Sequence, residues 1–331
     1  MHQALVTGAA GFIGTELLNQ LSAKRVRIRA LVHSRPLDCA PSSSIEVVHS
    51  DIEDAEALQA AVQGVDTVFH LAARAHLFGQ RPRRRNEYDA INADGTRKLL
   101  QAATRAGVRR FIFFSSVKAF GEGSPADRPL DEDSLARPTS PYGRSKLTAE
   151  EIVRDSDQEE GIRCTCLRLP MVYGPHRDGN LFRMIQTIER GIFPPLPETG
   201  NRRSQVHVRD VVQAALLAAS SDVALGQTYI VTDQCEYSTR QIYEMVCESL
   251  GGQVPRWSCP AALLRVAGHV GDIIGTIRRR PFVLNSQVVG KLLGSAWYDS
   301  SKISRELDYR PTTTLQASLP ALITWYREVS R

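Results

Sequence analysis

Short, nearly unbroken apolar runs alternate with amphipathic stretches over the first half of this chain. Residues 2–6 close on Ala4-Leu5-Val6, and further runs occupy 26–32, 45–49, 65–71, 110–116 and 163–169. Between them, 12–21, 55–62, 92–106 and 142–155 place apolar residues three and four apart. Short apolar runs suit strands buried on both faces, and the 3.6-residue spacing suits helices packed against them. Regular alternation of the two predicts an α/β fold, a parallel sheet with helices on both sides. Beyond residue 170 the pattern becomes irregular, broken by Gly174-Pro175, Gly191 and Phe193-Pro194-Pro195. One further run, 227–232, reads as a strand rejoining the sheet.

The turn after the first run is Thr7-Gly8-Ala9-Ala10-Gly11-Phe12-Ile13-Gly14. Strand, glycine turn and helix in immediate succession let the backbone approach a pyrophosphate and aim helix N–H groups at its charge. Gly8, Gly11, Phe12, Ile13 and Gly14 are therefore candidate dinucleotide contacts. The fold class sharpens to a Rossmann-type doubly wound parallel sheet with a smaller mixed C-terminal substrate domain. On this reading 1–170 form the nucleotide domain, 206–235 return to it, and 171–205 with 236–331 form the substrate domain.

Composition changes this picture little. A chain of 331 residues, 42% hydrophobic and 23% charged, can bury a sizeable core, and a net charge of +5 suits anionic small molecules without selecting one. No apolar run approaches the ~20 residues that span a bilayer, and no basic, apolar leader opens the chain, so a cytoplasmic location without a transmembrane segment is expected. Cys39, Cys164, Cys166, Cys235, Cys247 and Cys259 form no Cys-x-x-Cys pair. They read as small apolar fillers, Cys164 and Cys166 on one strand face, and no metal site is expected. The basic runs 81–85 and 278–280 lack interleaved aromatics, so no nucleic-acid partner is expected.

At the end of the second strand an NAD-binding fold places an acid on the ribose hydroxyls. Here the sequence is Leu31-Val32-His33-Ser34-Arg35, with no acid before Asp38. An arginine can hold a 2′-phosphate that a carboxylate would repel, so Arg35 leans the cofactor towards NADP(H), with NAD(H) possible.

Tyr142 and Lys146 stand four apart at the start of an expected helix and share a face. Phenols titrate near pH ~10, and an adjacent ammonium, with a nicotinamide cation nearby, favours the phenolate and pulls that value towards neutrality. Such a tyrosine exchanges a proton with an alcohol or ketone while hydride moves at carbon. Ser116, ending a parallel strand where ligands bind in such sheets, can hydrogen-bond the same oxygen.

With these residues in place the chain resembles the extended short-chain dehydrogenase/reductases, the NAD-dependent epimerase/dehydratase superfamily, over nearly its whole length. The resemblance rests on 7–14, Asp51-Ile52, His70-Leu71-Ala72-Ala73, Asn92-Ala93-Asp94-Gly95-Thr96, 115–121, 142–146, 168–175, and Arg203 to Asp210. It implies that Ser116, Tyr142 and Lys146 are catalytic and that Asp51, Ile52, Leu71, Ala72, Ala73, Asn92 and Leu169 join Tyr142 and Lys146 around the cofactor. It also implies Asn180 and Arg203 at the nucleotide part of a UDP-sugar substrate, and a homodimer packed through helices around 95–106 and 143–155.

Three subclasses of that family differ in local chemistry. A 4,6-dehydratase carries Thr-Asp-Glu where this chain has Ser116-Val117-Lys118, so the acid and base for eliminating water are missing. A 4-epimerase keeps NAD bound and usually has an acidic second strand. A reductase takes its cofactor from the pool, which the Arg35 reading favours. The stretches Ala72-Ala73-Arg74-Ala75-His76, Ser116-Val117-Lys118 and Gly179-Asn180-Leu181-Phe182 look most like reductases of UDP-4-keto-6-deoxy-N-acetylhexosamines, which make UDP-N-acetylquinovosamine or -fucosamine for bacterial surface polysaccharide such as O-antigen. Lys118 is then a candidate substrate contact. The other readings are a UDP-glucose or UDP-N-acetylglucosamine 4-epimerase and a non-catalytic NADP-binding sensor or scaffold, against which an intact Ser116–Tyr142–Lys146 set argues.

Overall fold

The structure, a computed structural model, describes residues 1–37, 43–74, 85–159, 161–177, 179–278, 280 and 282–330. Cys39, Ala75-His76, residues 81–84 of the first basic run and Arg279 of the second lie outside them. In chain order the first half forms β1 (Gln3–Thr7), α1 (Phe12–Ala23), β2 (Arg27–Val32), β3 (Ile45–His49), α2 (Ala55–Ala61) and β4 (Thr67–His70). Then come α3 (Arg85–Tyr88), a π-helical turn (Asp89–Asp94), α4 (Gly95–Arg105), β5 (Arg110–Ser116), a 3₁₀ turn (Val117–Ala119), α5 (Pro141–Glu159) and β6 (Arg163–Leu169).

The expected alternation is present, with two differences. The run at 65–71 pairs only over Thr67–His70. The helix expected from residue 92 starts at Arg85 and passes through the π turn before α4. Helical apolar spacing does not reveal a π turn, which inserts one residue into the period.

The region after residue 170 is more regular than its punctuation suggests. Met171–Tyr173 (β7) pairs in parallel with Gln205–His207 (β8), beside α6 (Asn180–Glu189) and α7 (Val208–Ser220). Thr228–Ile230 (β9) does rejoin the main sheet, whose order is β3-β2-β1-β4-β5-β6-β9, parallel throughout. Among the described residues, β9 is followed by helices α8 (Thr239–Ser249), α9 (Ala261–Arg278), α10 (Ser286–Leu293), α11 (Ser301–Leu307) and α12 (Leu315–Ser330).

Two apolar layers sandwich the sheet. Leu17, Leu18 and Leu21 of α1 pack with Val211, Val212, Ala214 and Ala215 of α7 on one face. Leu58 of α2, Leu99 and Ala103 of α4, and Ala149 and Val153 of α5 pack on the other, with Cys164 and Cys166 together among them. Because every strand is parallel, all carboxyl ends open on one edge, where Thr7, His70, Ser116 and Leu169 lie. Among the described residues no helix is long and apolar enough to cross a membrane.

Candidate active site

The glycine turn is built by close approach. Gly8 sits at φ +67°, and a Cβ there would meet the Ala72 amide nitrogen at 2.8 Å. A Cβ on Gly14 would run into the carbonyl oxygens of Gly8 and Ala9, which seats α1 directly on the turn. Around Gly11 only the Gly8 carbonyl approaches, so the outer side of the turn is open. The N-terminus of α1 has no side-chain cap and no acid in its first turn. An uncapped helix start behind an open backbone cradle fits a pyrophosphate.

Behind this turn a directed hydrogen-bond relay ties three elements together. The Ala72 amide donates to Thr7 Oγ1 at 3.1 Å, and Thr7 Oγ1 lies 2.7 Å from His70 Nδ1. His70 Nε2 lies 2.9 Å from Thr96 Oγ1, which donates to the Asn92 carbonyl at 2.6 Å. Thr96 spends its proton on a carbonyl, so it accepts from His70, and the imidazole carries its proton on Nε2 while Nδ1 accepts from Thr7. Burial, helped by the nearby Lys146 charge, pushes the His70 pKa down to about 3, so the ring stays neutral.

Ser116, Tyr142 and Lys146 converge at the ends of β5 and α5. Ser116 also caps the 3₁₀ turn by accepting from the Lys118 amide at 3.2 Å, and its hydroxyl acts on the Tyr142 phenol to lower its pKa. Lys146, 2% exposed, donates from Nζ to the Phe114 carbonyl at 2.7 Å and lies 4.1 Å over the Phe113 ring. Burial pushes its pKa down to about 8, opposed by Glu150. The lowering of Tyr142 expected beside an ammonium and a nicotinamide cation is not produced by the protein groups alone. Burial pushes the phenol up to about 12, opposed by the Ser116 hydrogen bond, while the ammonium is turned to a carbonyl and a ring.

A buried ion pair without any local sequence signature lies one turn further along α5. Arg168 Nε donates to Glu150 Oε1 at 3.0 Å and its Nη2 to Oε2 at 2.7 Å, while Ser115 also donates to Oε1. Arg168 stacks 4.2 Å over Phe120. Asn92 is committed similarly. Its Oδ1 accepts from the Arg74 amide at 2.7 Å, and its Nδ2 donates to the Arg74 carbonyl at 3.1 Å and to Ser145 Oγ at 2.9 Å. Both therefore fix the wall behind Lys146 through their side chains.

On the open side, a cleft of about 390 Å³ is lined by Glu122, Arg203, Gln287 and Lys291 among others. Lys118 reaches it as an ion pair with Glu122 at 3.0 Å. Arg203 donates from Nη1 to the Lys291 carbonyl at 2.7 Å, and burial lowers its pKa. Lys291 is lowered by burial and by the charges of Lys118 and Arg203, with Glu122 opposing. Three cations face one carboxylate here, the balance expected of an anion site. Lys291, 88 residues from Arg203, left no local signal.

The remaining candidates are spread along the same edge. Arg35 is exposed on the turn after β2, and His33 Nε2 pairs with Asp51 at 3.2 Å. Ile52 is buried against Gly95. Phe12 stacks on His176 at 4.6 Å, bringing the loop after β7 over the start of α1. Leu71 and Ala72 border the glycine turn with Ala73 next in the chain, Ile13 packs against the α1-side core, and Leu169 pairs with Ser116. Asn180 is exposed at the first position of α6 and is not among the residues that line the cleft.

Known proteins share the family and the fold. Residues 4–231 match the model of the NAD dependent epimerase/dehydratase family. The UDP-glucose 4-epimerase of Vibrio cholerae is 28% identical over 316 residues, covering 94% of this chain and 92% of its own. The N-acetyl-alpha-D-glucosaminyl-diphospho-ditrans,octacis-undecaprenol 4-epimerase of Escherichia coli O157:H7 is 28% identical over 318 residues, with the same coverage. Among solved structures, MoeE5 in complex with UDP-glucuronic acid and NAD superposes with a TM-score of 0.78 at 27% identity, covering 99% of both chains.

Proposed function

The chain belongs to the NAD dependent epimerase/dehydratase family, and on that premise we propose that it reduces C4 of a UDP-4-keto-6-deoxy-N-acetylhexosamine. The cofactor in this reading is NADP(H), with Arg35 on the 2′-phosphate. The observation that carries it is the placement of Ser116, at the end of β5, with Tyr142 and Lys146 of α5 on the sheet edge that also carries the open glycine turn, a set that can give a proton to a ketone oxygen.

The dinucleotide, when bound, supplies the hydride for C4. Gly8–Gly14 and the open start of α1 hold its pyrophosphate, and the buried side of α5 excludes water from the reacting edge. Ser116 orients the ketone by donating to its oxygen, and Tyr142 donates the proton that completes the alcohol. Lys146, charged below about pH 8 and held by the Phe114 carbonyl, offers a donor towards the ribose. Arg203 and Lys291 neutralise the diphosphate of the substrate, while Val117 and Lys118 supply no carboxylate for dehydration. The homodimer through α4 and α5 belongs to the same proposal.

A second reading, 4-epimerisation with retained NAD, is favoured by the two relatives above, both 4-epimerases by name. The deciding experiment incubates the purified protein with UDP-N-acetylglucosamine, and separately with its 4-keto-6-deoxy derivative plus NADPH or NADH. Reduced cofactor consumed only in the second mixture, and faster with NADPH, is the expected result. Inversion at C4 in the first mixture without net cofactor use assigns the epimerase instead.

A further inference from the structure

Helix α9 carries an apolar stripe on its solvent side. Leu263, Val266, Val270, Ile273 and Ile277 are 49–76% exposed, and their spacing of three and four lines them up along the helix. The opposite side is firmly seated. Leu264, Gly268 and Gly271 are buried, a Cβ on Gly268 would press on the Ser286 backbone, and one on Gly271 would run into the Leu284 carbonyl. Only a glycine face fits against α10, so the stripe cannot turn inward to hide. Trp257 and Val283, before and after the helix, are 64% and 73% exposed.

Charge is concentrated in the same segment. Between residues 254 and 283 stand Arg256, Arg265, Arg278, Arg279 and Arg280 against a single Asp272, so this segment holds four of the five net positive charges of the chain. Arg256, Arg265, Arg278 and Arg280 are exposed, and none forms an ion pair among the described residues. An exposed row of aliphatic side chains, an exposed tryptophan and flanking arginines are the composition of a helix that lies in a membrane interface with its axis in the plane. We propose that α9 docks this protein on an anionic lipid surface, the stripe entering the acyl boundary and the arginines facing the headgroups.

A second copy of the chain fits the face less well. A two-fold contact through this stripe would bring two sets of exposed arginines together, whereas anionic headgroups neutralise them. Docking also has a consequence for the cleft. Helix α10, which packs against α9, contributes Gln287, Gly290 and Lys291 to its lining, so the cleft stands one helix away from the lipid. The inference does not depend on which sugar is turned over.

The test is flotation of the full chain with vesicles of phosphatidylcholine alone and of phosphatidylcholine containing about a third phosphatidylglycerol. Partition into the anionic vesicles is expected, weakened about five-fold for each arginine removed in Arg265→Ala and Arg278→Ala and suppressed in about 1 M salt. Val270→Asp combined with Ile273→Asp, both on the exposed face, should lower it at least about ten-fold while circular dichroism and dinucleotide binding stay unchanged. Absence of partition, or partition that neither salt nor these substitutions alter, overturns the proposal. So does a concentration-dependent dimer abolished by the double substitution without any vesicle binding, which gives the stripe to a second copy.

Discussion

The two sides of α5 are built on opposite principles. Behind Lys146, every polar group named above has a partner: Thr7, His70, Thr96, Asn92, Ser145, Ser115, Glu150 and Arg168 form closed chains of hydrogen bonds in a buried wall. Across the edge that carries Ser116 and Tyr142, Lys118, Glu122, Arg203 and Lys291 form an open cleft with surplus positive charge. The wall is complete before any ligand arrives, so it holds geometry. The cleft is left unbalanced, so its charge is matched only when an anion enters.

That contrast can be broken by substitution. Tyr142 stands where the two sides meet, and Tyr142→Phe should lower kcat about a thousand-fold while dinucleotide binding, read by fluorescence titration, survives. Glu150→Ala belongs to the wall alone. It leaves the Arg168 guanidinium buried without its carboxylate and should cost about 3 kcal/mol or more of unfolding free energy in urea titration. An activity loss without a stability loss there would mean that Glu150 acts on the reaction itself.

Acid should also reach the wall before it reaches the cleft. His70 is held at about 3 in the fold against 6.5 when free, so its contribution to stability is complete above pH 6.5 and is lost progressively as pH falls from 6.5 towards 3. His70→Asn should flatten that part of the stability–pH curve. The smallest effect belongs to the cleft: Arg203→Ala should raise KM about ten-fold with kcat nearly unchanged, since it removes binding felt equally by substrate and transition state. A fall in kcat of that size would place Arg203 in the wall.

The sequence made the wall partly legible and the cleft only at Lys118 and Arg203. The glycine turn, the strand ending at Ser116 and the Tyr142–Lys146 pair are local patterns, each forced by a tight turn or a helix face. Glu150, four residues after Lys146, looks in the sequence like an ordinary surface charge pair, because burial is a property of the assembled layers. Lys291 meets Arg203 only through tertiary folding. The helices after residue 170 are obscured for physical reasons. Most of α7 is buried, so it lacks a polar face to mark its period, α12 contains Pro320, and α9 turns an apolar face outward. The Ser238–Gln241 capping box at the start of α8 is a signal that the sequence does carry.

The π turn at Asp89–Asp94 sets the phase of everything around it. A residue inserted into a helix rotates the turns on its N-terminal side by about 100° relative to those on its C-terminal side. Here the rotation lets Tyr88 stand edge-on to Tyr142 at 6.1 Å while Asn92 reaches Arg74 and Ser145, and Thr96, in α4, meets His70. Deleting one residue from the turn would straighten the helix, and all three alignments could not be kept at once. The extra residue works as a vernier between two parts of the scaffold, and a shortened loop elsewhere in the chain could not replace it.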